Sequence, residues 1–149
     1  MRHPATGAGA YIVAISICAL LLVAGCGGSG ESPESVVRAW SEALNAGDNE
    51  AAAELFAPGA QIVQGGRTVR LETNEDAVAW NASLPCSGEI VEVEADGDTV
   101  TATFLLDDRP TSPCDAPGAE ATASFRIEDG KIVLWHQLAG EAEQTGPAV

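Results

Sequence analysis

Histidine is almost missing from this chain: His3 and His136 are the only two in 149 residues, and once His3 is lost with the N-terminal segment described below, neither a multi-histidine metal centre nor a paired-histidine acid–base device is available. Basic side chains are scarce as well. Seven Lys and Arg stand against 22 Asp and Glu, for a formal net charge of −15. That balance repels phosphate backbones and anionic headgroups, so neither nucleic acid nor electrostatic docking on a membrane is expected. The four cysteines, Cys18, Cys26, Cys86 and Cys114, include no Cys-x-x-Cys pair, which argues against a catalytic dithiol. The apolar run Ala10–Ala24 falls short of the ~20 residues that a bilayer-spanning helix needs. No metal and no cofactor is expected from this inventory.

What is present begins with that short run. Arg2 supplies a positive end, the apolar centre follows, and small residues lead to Cys26, which is the layout of a secretory signal. The segment Val23-Ala24-Gly25-Cys26 resembles the lipobox of bacterial lipoproteins. The resemblance implies that residues 1–25 are removed and that Cys26 becomes a lipidated first residue, attached to a cell membrane on its extracytoplasmic face. An ordinary signal peptide or an uncleaved anchor would also place the rest outside the cytoplasm. Arg2 leaves with the signal and no acidic residue does, so the remaining chain is one charge more negative. Lipid, and not charge, must then hold it at the membrane, and two acyl chains suffice for stable attachment. With Cys18 discarded and Cys26 lipidated, Cys86 and Cys114 remain as a pair in an oxidising compartment, where one disulfide is expected. Closing a loop of about 29 residues stabilises by roughly 3 to 4 kcal/mol in the chain-entropy account.

Residues 26–32, with Gly27-Gly28-Ser29-Gly30, read as the lipidated cysteine and a flexible tether, residues 33–139 as one domain, and residues 140–149 as a loose tail. Ser32-Pro33 predicts the cap and first turn of a helix whose apolar face is Val36, Val37, Trp40, Ala43 and Leu44, ending at Gly47. Asp48 caps a second helix with Ala51, Ala52, Leu55 and Phe56 on one face, stopped by Pro58-Gly59. From Ala60 a hairpin turns at Gly65-Gly66 and returns through Arg67–Leu71. Thr73 or Asn74 caps a third helix carrying Ala77, Val78 and Trp80, which stops at or before Pro85. Four segments of period two follow, Glu89–Ala95, Thr99–Leu106, Ala119–Glu128 and Lys131–Leu138, predicting an antiparallel meander.

In that meander Val91, Val93 and Ala95, then Val100, Ala102, Phe104 and Leu106, then Ala121, Ala123, Phe125 and Ile127 form the expected apolar face. The last strand is apolar on both sides. Val133, Trp135 and Gln137 share one side, and Ile132, Leu134, His136 and Leu138 the other. The second set offers an apolar edge for a homodimer, with Ile132, Leu134 and Leu138 as contacts.

Two helices joined through Ala46-Gly47-Asp48, a breaker at Phe56-Ala57-Pro58-Gly59-Ala60, a hairpin, a third helix and a meander ending in Asp129-Gly130-Lys131-Ile132-Val133 together resemble the nuclear transport factor 2-like superfamily and its SnoaL-like branch. The resemblance implies an α+β cone, N-terminal helices packed on a curved antiparallel sheet, with a pocket at its open end. Aligned on Asn45-Ala46-Gly47-Asp48, it puts the oxyanion-donating tyrosine of the isomerases at Trp40, their carboxylate base at Gln64 and their buried carboxylic acid at Ala123. None of the three carries that chemistry, so isomerase activity of this kind is not expected. It also points His136 away from the cone interior, and Trp135 and Gln137 into it.

Trp40, Phe56, Trp80, Phe104, Phe125 and Trp135 all fall on inward faces. They make core, or they wall a small apolar pocket in which Gln64 and Gln137 orient a ligand. The favoured expectation is a non-catalytic domain that binds a small apolar ligand or an envelope protein. The alternative is a SnoaL-like enzyme of cyclase, hydrolase or isomerase type, acting on a hydrophobic metabolite through Glu72, Asp76 or His136, with Arg70 and Asn81 nearby. Asn81-Ala82-Ser83 fits a glycosylation sequon, and Asp107-Asp108-Arg109 reads as a solvated loop.

Overall fold

The first helix, α1 (Pro33–Asn45), forms where the sequence places it: Ser32 accepts a hydrogen bond from the Ser35 backbone N–H, Pro33 opens the first turn, and Val36, Val37, Trp40 and Leu44 are buried. The computed structural model describes residues 30–140. Cys26, the lipobox, most of the tether and the tail beyond Gly140 lie outside the described residues. Asp48 caps the short α2 (Asn49–Glu54), and Thr73 with Asp76 forms a complete capping box on α3 (Asn74–Ser83). Six strands make up the rest: β1 (Phe56–Gln64), β2 (Arg67–Leu71), β3 (Ser87–Asp96), β4 (Thr99–Asp107), β5 (Glu120–Glu128) and β6 (Lys131–Leu138).

The fold is the expected α+β cone of the nuclear transport factor 2-like kind, on one sheet of order β2-β1-β6-β5-β4-β3. The sheet is mixed, because β1 runs parallel to β6 while every other neighbouring pair is antiparallel. This pair welds the N-terminal hairpin to the meander. Gly65 and Gly66 both have positive φ, +57° and +74°, as a two-residue hairpin turn of the primed kind requires.

Three assignments differ from the sequence pattern, and each has a cause in strand pairing. Phe56 opens β1, where it pairs with Ile132, and does not belong to the α2 stripe; the register then slips before Gln61 meets Leu134, so Pro58 and Gly59 sit in an irregular stretch of strand. On β3, one extra residue at Val91, between the pairs Ile90↔Phe104 and Glu92↔Thr103, resets the alternation. Ile90 therefore packs on the core, while Val91 is 49% exposed and Ala95 is exposed. On β6, an extra residue at Val133 lets Ile132 and Trp135 both face inward, opposite Ile127 and Phe125. Ile132 is completely buried and cannot be a dimer contact; Leu134, His136 and Leu138 remain on the outer face.

All six aromatic side chains of the described residues form one cluster about Trp40. Its ring lies 5.3 Å from Phe125, 6.0 Å from Phe104, 6.3 Å from Trp80 and 6.4 Å from Trp135, and Phe56 joins through Trp80 at 5.5 Å. Helix and sheet are also tied by polar contacts. Asn45 donates to and accepts from the backbone of Gly88, and Ser41 donates to the same carbonyl. Gly88 must be glycine here, since a Cβ would lie 2.9 Å from the Leu105 carbonyl oxygen.

The segment 107–109 is not a solvated loop throughout, because Arg109 is only 5% exposed. Its Nη1 donates to the carbonyls of Asn81 and Leu84, at 2.6 and 2.9 Å, and its Nη2 donates to Asn49 Oδ1 at 2.6 Å. Helix α3 has no basic residue in its last turn, and Arg109 supplies from the β4–β5 connection the cation that its C-terminal carbonyls lack. Burial lowers the guanidinium pKa from its ordinary value. Asn81, completely buried, is no glycosylation site: its Oδ1 accepts from Trp40 Nε1 at 2.9 Å and its Nδ2 donates to the Ala77 carbonyl.

Candidate functional site

The open end of the cone holds a cavity of about 420 Å³. Strands supply its inner wall, with Phe104 and Leu106 from β4, Ala121 and Ala123 from β5, Trp135 and Gln137 from β6, and Gln64 at the end of β1; Trp40, Ser41 and Leu44 of α1 close the other side. The space exists because β5 presents alanines there. Ala121 pairs with Phe104, and Ala123 lies between Ala102 and Gln137, so two adjacent inward positions of the wall carry a single methyl group each.

The disulfide Cys86–Cys114 forms at the mouth, with a Cα–Cα distance of 4.5 Å. The register Ser87↔Asp107 brings the end of β4 beside the start of β3, so the connection to β5 returns past Cys86. Asp108 holds that connection: its Oδ1 accepts from the Cys114 N–H at 2.8 Å, and its carbonyl accepts from Ser87 Oγ at 2.9 Å. Asp115, Ala116 and Ala119 of the same segment complete the mouth. Asp115 Oδ1 lies 3.3 Å from Cys86 Sγ, a contact without a proton, because that sulfur is in the disulfide.

Of the residues proposed from sequence as pocket candidates, Trp40, Gln64, Phe104, Trp135 and Gln137 line the cavity. Phe56, Trp80 and Phe125 do not; they lie behind it in the aromatic cluster. The positions aligned with the isomerase donor, base and acid, Trp40, Gln64 and Ala123, all meet at this one cavity. Trp40 does not offer its indole N–H there, since Asn81 accepts it. Trp135 differs: it is 6% exposed, and its Nε1 is buried with no hydrogen-bond partner among the described residues.

The enzyme candidates lie elsewhere. Asp76 is engaged in the α3 capping box, Arg70 and Glu72 form a solvent-exposed pair at 3.9 Å, and His136 pairs with Ser124 on the outer face. None of them lines the cavity. Its charged lining residues are Asp115 and Glu120, both exposed, of which Glu120 pairs with Leu105 on the outer face of the sheet, and it is lined by no lysine, arginine or histidine. Among the described residues Cys86, Cys114 and Asp115 also come close enough together to suggest a metal site, but both sulfurs are committed to the disulfide and cannot act as thiolates. Asp115 was missed in the sequence because nothing local to it marks a cavity mouth.

The profile of the SnoaL-like domain matches residues 37–135. No curated protein matches the sequence significantly. Among solved structures, an NTF2-like protein of unknown function from Cytophaga hutchinsonii superposes with a TM-score of 0.62 at 12% identity, covering 80% of this chain and 99% of that one. A candidate polyketide cyclase from Sinorhizobium meliloti is 24% identical with a TM-score of 0.55, covering 72% of this chain and 100% of the other. A protein with a ketosteroid isomerase-like fold from Catenulispora acidiphila, in complex with trimethylamine, is 21% identical with a TM-score of 0.56, covering 74% and 88%. At these identities the likeness is one of fold, and a fold shared by so many proteins does not choose an activity.

Proposed function

Because this chain belongs to the SnoaL-like family through residues 37–135, we propose that it is a non-catalytic, ligand-binding member, held at the extracytoplasmic face of a cell membrane by lipid on Cys26. The cavity carries the binding half of this reading. Its volume, about 420 Å³, suits a small organic molecule, its walls are aromatic and aliphatic carbon, and the carboxamides among its lining residues are those of Gln64 and Gln137, both exposed. Such groups orient a ligand but do not take up a proton at a reacting carbon. An enzyme working through Glu72, Asp76 or His136 would have to do its chemistry outside this cavity.

A neutral apolar dye tests the cavity. Nile red is expected to brighten on the full-length protein, and Ala121→Trp, which fills the space from β5, is expected to weaken its binding at least tenfold with little change in melting temperature. Equal binding by the two proteins would remove the cavity as the site.

The anchoring half rests on the run Ala10–Ala24 and on Val23-Ala24-Gly25-Cys26. Among the described residues no helix is long and apolar enough to cross a membrane. Radiolabelled palmitate fed to the expressing cells is expected in the wild-type protein and not in Cys26→Ala; label retained by the variant would refute lipidation at that residue.

A further inference from the structure

From where the chain enters the domain and what the cavity mouth presents, we infer that the mouth opens away from the bilayer, so that the ligand is a small molecule dissolved in the extracytoplasmic water and not a lipid of the membrane. This rests on the anchor at Cys26 and on the cavity being the binding site, and adds the side from which the cavity fills. Helix α1 sets the direction. Its last turns stand at the mouth: Trp40, Ser41 and Leu44 line the cavity, and Ser41 and Asn45 donate to the carbonyl of Gly88 at the start of β3. No α1 residue before Trp40 lines it. Pro33, where the chain arrives from Cys26, is twelve residues back from Asn45, or about 18 Å along the helix axis. Cys26 precedes Pro33 by seven residues, which reach at most about 25 Å even in a straight line. The mouth could meet the bilayer only if nearly that whole length ran back beside α1.

The rim makes an independent argument. A protein face that docks on a bilayer presents large apolar side chains to the acyl region or basic ones to anionic headgroups. The exposed large apolar side chains of the described residues are Val69, Val91 and Leu105, and none of them lines the cavity. The β4–β5 connection that frames the mouth offers Asp115, Ala116 and Ala119, one acid and two alanines, and the lining includes no lysine or arginine. On a chain of net charge −15, an anionic surface repels such a rim. Neither its position nor its chemistry equips the mouth to draw a lipid out of the membrane, and both leave it facing water.

Energy transfer from the protein to the bilayer tests the orientation. The full-length protein, purified from the expressing cells in detergent, is reconstituted into phosphatidylcholine vesicles with an acceptor dye on a fraction of the headgroups. A donor dye is attached through Ala116→Cys at the mouth or through Asp98→Cys in the β3–β4 turn at the opposite end of the sheet, two exposed positions. Transfer is expected to be at least twofold more efficient from position 98 than from position 116. Equal transfer, or the reverse order, would overturn the orientation. Transfer from neither position would overturn the anchor and the orientation with it, whether or not Nile red still binds. The source of the ligand is tested in cells fed a diazirine-bearing fatty acid and irradiated. The peptides that line the cavity are expected to stay unmodified, and a lipid adduct mapped to them would show that the cavity fills from the membrane.

Discussion

Arg109→Met is expected to lower stability by about 3 kcal/mol. The side chain crosses from the β4–β5 connection to three acceptors, the carbonyls of Asn81 and Leu84 and the Oδ1 of Asn49, and its removal strands the last two in a half-buried setting and leaves the buried Asn81 carbonyl only the Leu84 N–H, at 3.3 Å. A stranded buried polar group costs about 1 to 3 kcal/mol, and relief of the guanidinium's own desolvation offsets part of the sum. The loss corresponds to a fall in melting temperature of about 12 °C for a domain of this size. Arg109→Lys keeps the charge but not the fork that reaches three partners, so it should recover less than half of the deficit. Because Asn81 also accepts from Trp40, the substitution is further expected to shift the tryptophan emission, since all three tryptophans share one cluster. Thermal unfolding by circular dichroism measures the effect, and a methionine variant melting within 2 or 3 °C of wild type, a shift worth well under 1 kcal/mol, would show that the three bonds are replaceable.

Loss of the disulfide is expected to be as costly and to have a functional consequence as well. Cys86 and Cys114 are 28 residues apart in sequence, and freeing a loop of that length destabilises by roughly 3 to 4 kcal/mol in the chain-entropy account. The bond also holds the segment that brings Asp115, Ala116 and Ala119 to the cavity mouth. Reduction, or Cys86→Ala with Cys114→Ala, should therefore lower the melting temperature by about 12 to 15 °C and weaken Nile red binding in protein that is still folded. The two readouts separate two roles. A lower melting temperature with unchanged binding would leave the bond a purely structural staple, and an unchanged melting temperature would mean that the contacts of Asp108 with Ser87 and Cys114 hold the segment without it.

The site was only partly legible beforehand, for a physical reason. Trp40, Gln64, Phe104, Trp135 and Gln137 were identifiable because inward-facing aromatics and carboxamides fall at fixed phases of helix and strand. Phe56, Trp80 and Phe125 satisfy the same local rule, yet they sit behind the cavity, since the distinction between core and wall depends on what the opposite element places there. Arg109 offered no local signal at all. Its neighbours Asp107, Asp108 and Pro110 are those of a solvent loop, and its burial comes from the carbonyls of a helix whose C-cap, Leu84, lies 25 residues earlier in the chain.

Local chemistry was enough to determine the caps at Ser32 and Asp48 and to narrow the third to Thr73 or Asn74, and to give the turn at Gly65-Gly66, the number of strands, the pairing of Cys86 with Cys114 and the α+β class, because each depends on residues only a few positions apart or on a count. Tertiary structure alone decided the parallel contact of β1 with β6, the bulges at Val91 and Val133 that turn Ile90 and Ile132 inward, and the unpaired indole of Trp135. A period-two pattern predicts which residues share a face only while the strand keeps one phase. A bulge shifts that phase by a residue, and where it falls is settled by the partner strand across the sheet.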